Sequence, residues 1–147
     1  MDTCLNRFLE AQKYSYETAL EEVKKGKKMS HWMWYIFPQI KGLGHSETAI
    51  YYEIKSLEEA KAYLEHDVLR NRLLQLTDEL LLLTTNNPIE IFGYVDAMKL
   101  KSCMTLFEYI SDIENFGKVL EKFYQGLRDE YTITICSSMQ KDKIKKK

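Results

Sequence analysis

The chain has 147 residues, 45% of them hydrophobic and 29% charged, with a formal net charge of −1. That length fits one domain able to bury a core without staples, and that composition excludes disorder. Only 6 Gly and 2 Pro are present, too few for an all-β domain with a turn about every 8–12 residues.

Asp2 or Thr3 is positioned to cap a first helix. Leu5, Phe8, Leu9, Gln12, Tyr16, Leu20 and Val23 recur at helical spacing and predict its buried stripe. Gly26 fits its stop, with Lys24 and Lys25 in the favourable last turn. Ser30 is read as the cap of a short helix over His31–Phe37, which Pro38 ends. That segment is apolar on nearly every face and so belongs in the core, with a buried strand as the competing reading. A loop from Gln39 to His45 follows, and Ser46 is placed to cap a helix over Glu47–Ile54.

Ser56 and Glu59 have the spacing of a capping box, for a helix through Tyr63 and Leu64. The next helix is predicted over Val68–Leu83, with Leu69, Leu73, Leu76, Leu80 and Leu83 inward. Asn87-Pro88 opens a short helical turn that Gly93 breaks. A long helix then starts at Tyr94 or Asp96 and runs to about Ile110, with Ala97, Leu100, Met104 and Phe107 on one face. Another covers about Glu114–Tyr124 and ends near Gly126. Tyr131 to Cys136 alternates polar and β-branched residues, so propensity alone favours a short strand, while Asp129 is placed to cap a helical turn instead. The prediction is an all-α, single-domain bundle of about six to eight helices over residues 1–136, with that short C-terminal strand as an option.

The last seven residues hold five Lys and one Asp, which leaves 16 basic against 21 acidic residues in the body. Residues 137–147 therefore read as a basic, solvated and frayed tail. The acidic body argues against a nucleic-acid-binding face. No N-terminal stretch has the pattern of a signal peptide. The longest strongly apolar run, Leu80 to Leu83, is far too short for a bilayer. Cys4, Cys103 and Cys136 are odd in number and irregularly spaced, as free thiols of a reducing compartment would be. A cytoplasmic protein with no membrane partner is expected; the oligomeric state is not legible.

The run His31-Trp32-Met33-Trp34-Tyr35-Ile36-Phe37-Pro38-Gln39 is followed by Gly42-Leu43-Gly44 and Ser46. Downstream stand Glu59-Ala60 with Ala62-Tyr63-Leu64, then Arg72-Leu73. Last come Ile91-Phe92-Gly93, Asp96, Lys99-Leu100, Ser102 and Met104-Thr105-Leu106-Phe107. Together these resemble the uncharacterised family catalogued as domain of unknown function 1810, sometimes labelled calpastatin-like. The resemblance spans Arg7 to about Thr132. It implies a compact all-α domain, shifts the last segment toward helix, and brings no established activity. The chain departs from the family pattern at Gly26-Lys27-Lys28, His66-Asp67 and Arg70-Asn71.

Two groups of residues have the chemistry of a site. The first is the aromatic segment and its loop: His31, Trp32, Tyr35, Gln39, Lys41, Gly44, His45 and Ser46. A glycine-bearing loop entering a helix start is suited to cradle an anion, and nearby rings would stack on a base. The second is Asp96, Lys99 and Ser102, which three-residue steps place along one side of a helix. Lys99 and Ser102 would hold a phosphate, while Asp96 takes a hydroxyl or acts as base; the plainer alternative is an i,i+3 ion pair. Three readings follow. A binder of a small anionic ligand, a nucleotide or an NAD- or ADP-ribose-derived phosphate, requires His31, Tyr35, Gln39, Lys41, Ser46, Asp96 and Lys99 to converge. A protein-interaction module requires Trp32 or Trp34 exposed and no enclosed pocket. A hydrolase or transferase would use His31 or His45 with Asp96 as acid and base. His31, His45 and His66 have no close-spaced ligand partners, and no Walker loop or Rossmann fingerprint occurs, so no metal or cofactor is expected.

Overall fold

A computed structural model describes residues 5–145, and eight helices lie among them. In chain order they are α1 (Asn6–Lys25), α2 (Met33–Ile36), α3 (Glu47–Tyr52) and α4 (Leu57–Glu65). Then come α5 (Asp67–Leu82), α6 (Pro88–Tyr109), α7 (Glu114–Tyr124) and α8 (Glu130–Lys145). The architecture is all-α. α6 packs against α7 and α8, while α5 packs against α1, α4 and α7.

The long helices follow their apolar stripes. Phe8, Gln12, Tyr16, Leu20 and Val23 are buried on α1, and Leu69, Leu73, Leu76 and Leu80 on α5. Leu83 is only half-buried, just past the end of α5. Asp2 and Thr3, the expected caps of α1, lie outside the described residues. Gly26 is the left-handed C-cap of α1. Gly93 sits at φ 79° and ψ 166°, open only to glycine, and splits α6 into two helical pieces. Asn87 caps the first piece through Ile89 N–H at 3.0 Å.

Some local expectations hold and others give way. Ser30 does not cap α2, because its hydroxyl donates to Glu22 at 2.6 Å; α2 has only Met33–Ile36, with Trp32 at its N-cap position. Helix α3 stops at Tyr52 rather than Ile54. Ile54 instead forms an isolated parallel bridge with Ile40: Ile54 N–H donates to Gln39 C=O at 2.8 Å, and Lys41 N–H donates to Ile54 C=O at 2.9 Å. Ser56 caps α4 through Glu59 N–H at 3.0 Å, while the Glu59 carboxylate takes Lys55 N–H at 2.8 Å and the Arg7 guanidinium at 2.9 and 3.1 Å. The Tyr131–Cys136 stretch is helical within α8, not a strand. Its start is fixed by Asp129, whose Oδ2 accepts Thr132 N–H at 3.1 Å. The boundary expected at residue 136 thus falls inside a helix described to Lys145.

The core is strongly aromatic. Trp32, Phe37 and Phe92 meet at ring-centroid distances of 6.1–6.4 Å. Phe8, Tyr63, Phe107 and Phe116 form a second chain of rings at 5.2–5.7 Å. No helix among the described residues is long and apolar enough to cross a membrane.

Candidate functional site

The aromatic segment splits into a buried and a half-exposed tryptophan. Trp32 is 1% exposed, and its indole N–H donates to Glu22 Oε1 at 2.9 Å. The same oxygen accepts Met29 N–H at 2.8 Å and Ser30 N–H at 3.0 Å. Partial burial pushes the Glu22 carboxyl up. The Ser30 hydroxyl, the two amides and the Trp32 indole outweigh it and hold the group at about 2, below its ordinary 4.5. Glu22 therefore pins the chain between α1 and α2. This structural role left no local signal in the sequence.

Trp34, two residues on, is half-buried. Lys99 Nζ lies 4.4 Å from its ring centroid, a cation–π contact. Lys99 also lies 3.5 Å from Asp96 Oδ1, and Asp96 Oδ2 is paired with Lys28 Nζ at 2.8 Å. Lys28 in turn sits 5.0 Å from the Trp32 ring. Trp32, Lys28, Asp96, Lys99 and Trp34 thus form one alternating ladder across the break at Gly93.

An open groove of 460 Å³ lies beside this ladder. Trp34, Gln39, Leu43, Gly44, His45 and Ser46 line one side; Val95, Met98, Lys99 and Ser102 of α6 line another; Asp129 and Tyr131 close the end. The groove gathers Gln39, Gly44, His45, Ser46, Lys99 and Ser102 from two distant stretches of sequence. Gly44 is required by close approach: a Cβ there would stand 2.6 Å from Ala49 Cβ. Ser102 Oγ donates to Met98 C=O at 3.2 Å and lies 3.0 Å from Asp129 Oδ2.

The other expected residues are elsewhere. His31 is exposed, and its C=O accepts a long bond of 3.4 Å from Tyr35 Oη. Tyr35 Oη shares a hydrogen bond of 2.9 Å with Ser15. Trp32 is core. Lys41 faces a separate, larger depression of 870 Å³ against α8. Asp96 is not among the residues lining the groove, and Lys28 and Lys99 both pair with its carboxylate, so the i,i+3 ion pair is present. The expected anion cradle is also reduced. α3 has only six residues, and Ser46 Oγ already takes Ala49 N–H at 3.1 Å. Arg72 of the Arg-Leu pair lies 5.0 Å from the Tyr16 ring centroid and donates to Gln12 at 3.3 Å, a packing role.

Sequence reasoning missed Asp129 and Tyr131 as groove residues and considered Trp34 only as an exposed hot spot. Asp129 carried a signal, its capping position, which points to its bond with Thr132 N–H and not to its place in the groove lining. Among the described residues no three His, Cys, Asp or Glu gather as a metal site.

No curated protein matches the chain. The crystal structure of the conserved hypothetical protein Rv1873 from Mycobacterium tuberculosis is similar: 43% identity, TM-score 0.89, covering 90% of this chain and 96% of that one. The family model described as protein of unknown function (DUF1810) matches residues 2–136. With nearly the whole helical body matched, the chain belongs to that family.

Proposed function

We propose that this domain binds a small anionic molecule bearing an aromatic ring, a nucleotide or an NAD- or ADP-ribose-derived phosphate, in the groove between Trp34, the 39–46 segment and α6. One observation carries the reading: two polar groups some fifty residues apart line the same 460 Å³ depression. That volume falls in the range of about 300–1,000 Å³ usual for ligand sites. Trp34 offers a stacking face, and Lys99 beside it offers a cation. His45, Ser46 and Gln39 add hydrogen-bonding groups at the rim. If the ligand is transformed, His45 is the imidazole available, because His31 is outside the groove. The buried free thiols Cys103 and Cys136 agree with a cytoplasmic setting.

A thermal-shift panel of nucleotides, NAD, ADP-ribose and simple phosphates tests the proposal. A ligand at 100 times its Kd stabilises by about 2.7 kcal/mol, a rise of roughly 5 °C or more for this size. The rise should be lost in Lys99→Gln. A flat panel from folded, ligand-free protein would overturn the reading. It would favour a protein-interaction surface at the exposed side chains Val95, Met98 and Tyr131 of the groove lining.

A further inference from the structure

Building on the ligand-site reading, we infer that Asp129 is the groove's built-in hydrogen-bond acceptor and that the ligand is a nucleoside or nucleoside monophosphate, not a dinucleotide or a polyphosphate. Asp129 is held on one side only. Its Oδ2 accepts Ser102 Oγ–H at 3.0 Å, Thr132 N–H at 3.1 Å and Thr132 Oγ1–H at 2.5 Å. Its own N–H donates to Thr105 Oγ1 at 3.0 Å. These bonds fix the carboxylate plane. Oδ1 takes none of those donors, and Asp129 lines the groove. A fixed carboxylate with one oxygen uncommitted selects a ligand donor, such as a sugar hydroxyl.

Charge and size narrow the class further. Lys99 is the lysine of the groove lining and Asp129 its carboxylate. The formal charges of these two side chains cancel. Lys99 is also shared with Asp96 at 3.5 Å. One phosphate near Lys99 is accommodated, whereas a second meets Asp129 without a second cation. The volume of 460 Å³ stands in the lower half of the usual range of about 300–1,000 Å³, room for one base and sugar. The assignment is base on Trp34, sugar hydroxyl on Asp129 Oδ1, and a single phosphate, where present, at Lys99.

Isothermal titration with nucleosides, their monophosphates, ADP-ribose and NAD tests this on the wild-type protein and on Asp129→Asn. Asparagine still caps α8 but turns the uncommitted oxygen into an N–H donor. Monophosphates should bind best, nucleosides within about tenfold of them, and ADP-ribose and NAD at least about tenfold more weakly. In Asp129→Asn, nucleoside affinity should fall about tenfold or more, while the penalty on ADP-ribose shrinks. Tighter wild-type binding of ADP-ribose or NAD than of monophosphates would overturn the inference and leave the ligand site standing. So would nucleoside affinity unchanged in the variant. Binding of none of these compounds would sink both. The wild-type ranking decides the matter even if the variant does not fold.

Discussion

Replacing Glu22 by Gln should destabilise the protein at neutral pH and leave it nearly indifferent in acid. Glu22 receives four hydrogen bonds at 2.6–3.0 Å, from Met29, Ser30 twice, and the Trp32 indole. Glutamine keeps one accepting oxygen, and its amide can donate to Ser30 Oγ, so the change isolates the charge. The carboxyl stands at about 2 in the folded protein against an ordinary 4.5. Taken at full value, that difference corresponds to about 3.4 kcal/mol. Glu22 is only half-buried, so solvent screening reduces the figure to about 2 kcal/mol. At about 3 °C per kcal/mol for a chain this size, the variant should melt roughly 6 °C lower at pH 7. The sign of the pH effect follows from the direction of the shift. A carboxyl held below its unfolded value stabilises above pH 4.5, and that stability drains away as pH falls from 4.5 toward 2. More than half of the gap between wild type and Glu22→Gln should therefore be gone by pH 3. Urea melts followed by circular dichroism from pH 7 to pH 3 measure it. A gap that stays constant or widens in acid would refute the reasoning.

Two further perturbations probe the frame of the groove. Arg7→Met removes the bidentate partner of the 8% exposed Glu59 carboxylate, which keeps Lys55 N–H, and the donors to Tyr51 and Glu53 C=O; a loss of about 3 kcal/mol is expected in urea melts. Replacing both residues (Arg7→Met with Glu59→Leu) should recover a good part, and a single-variant cost under about 1 kcal/mol would contradict the role given to the pair. Gly44→Ala forces a Cβ to 2.6 Å from Ala49 Cβ, so the loop must move, at about 1–3 kcal/mol. Adding Ala49→Gly should restore ligand-induced shifts more fully than it restores the melting temperature, because helix α3 itself then carries a costly glycine.

Helices that bury one continuous stripe were legible because their pattern is local. Leu69, Leu73, Leu76 and Leu80 repeat at three and four residues and all turn inward. What stayed hidden depends on partners far along the chain. Ser30 has the chemistry of a cap, but Glu22 claims its hydroxyl. Ile40 and Ile54 form one bridge across an intervening helix, and a single residue pair has no periodicity to detect. Tyr131–Cys136 has strand-like residues, yet Thr132 and Cys136 are buried one helical turn apart, with Ile135 and Met139 half-buried beside them. β-propensity measures fit to a half-buried surface, and here the surface on offer is a helical bundle.

The site was legible in two halves that nothing in the sequence joined. The Gly44–Ser46 loop and the Lys99–Ser102 face each stood out by residue type, and packing brings them to one groove. The aromatic run misled because it reads as apolar on every face. Trp32 and Trp34, two residues apart, meet opposite conditions: Trp32 is sealed with its indole on Glu22, whereas Trp34 is half-buried with Lys99 over its ring. Asp96 shows the other alternative, the ion pair. Its residue type suits a base, but Lys28 at 2.8 Å and Lys99 at 3.5 Å commit both of its oxygens. Asp129 was assigned one duty, the helix cap, and a carboxylate has two oxygens. The cap uses Oδ2, and Oδ1 takes none of its donors. What the groove can offer a ligand thus turns on which polar atoms the fold has already consumed, a property that residue identity alone does not encode.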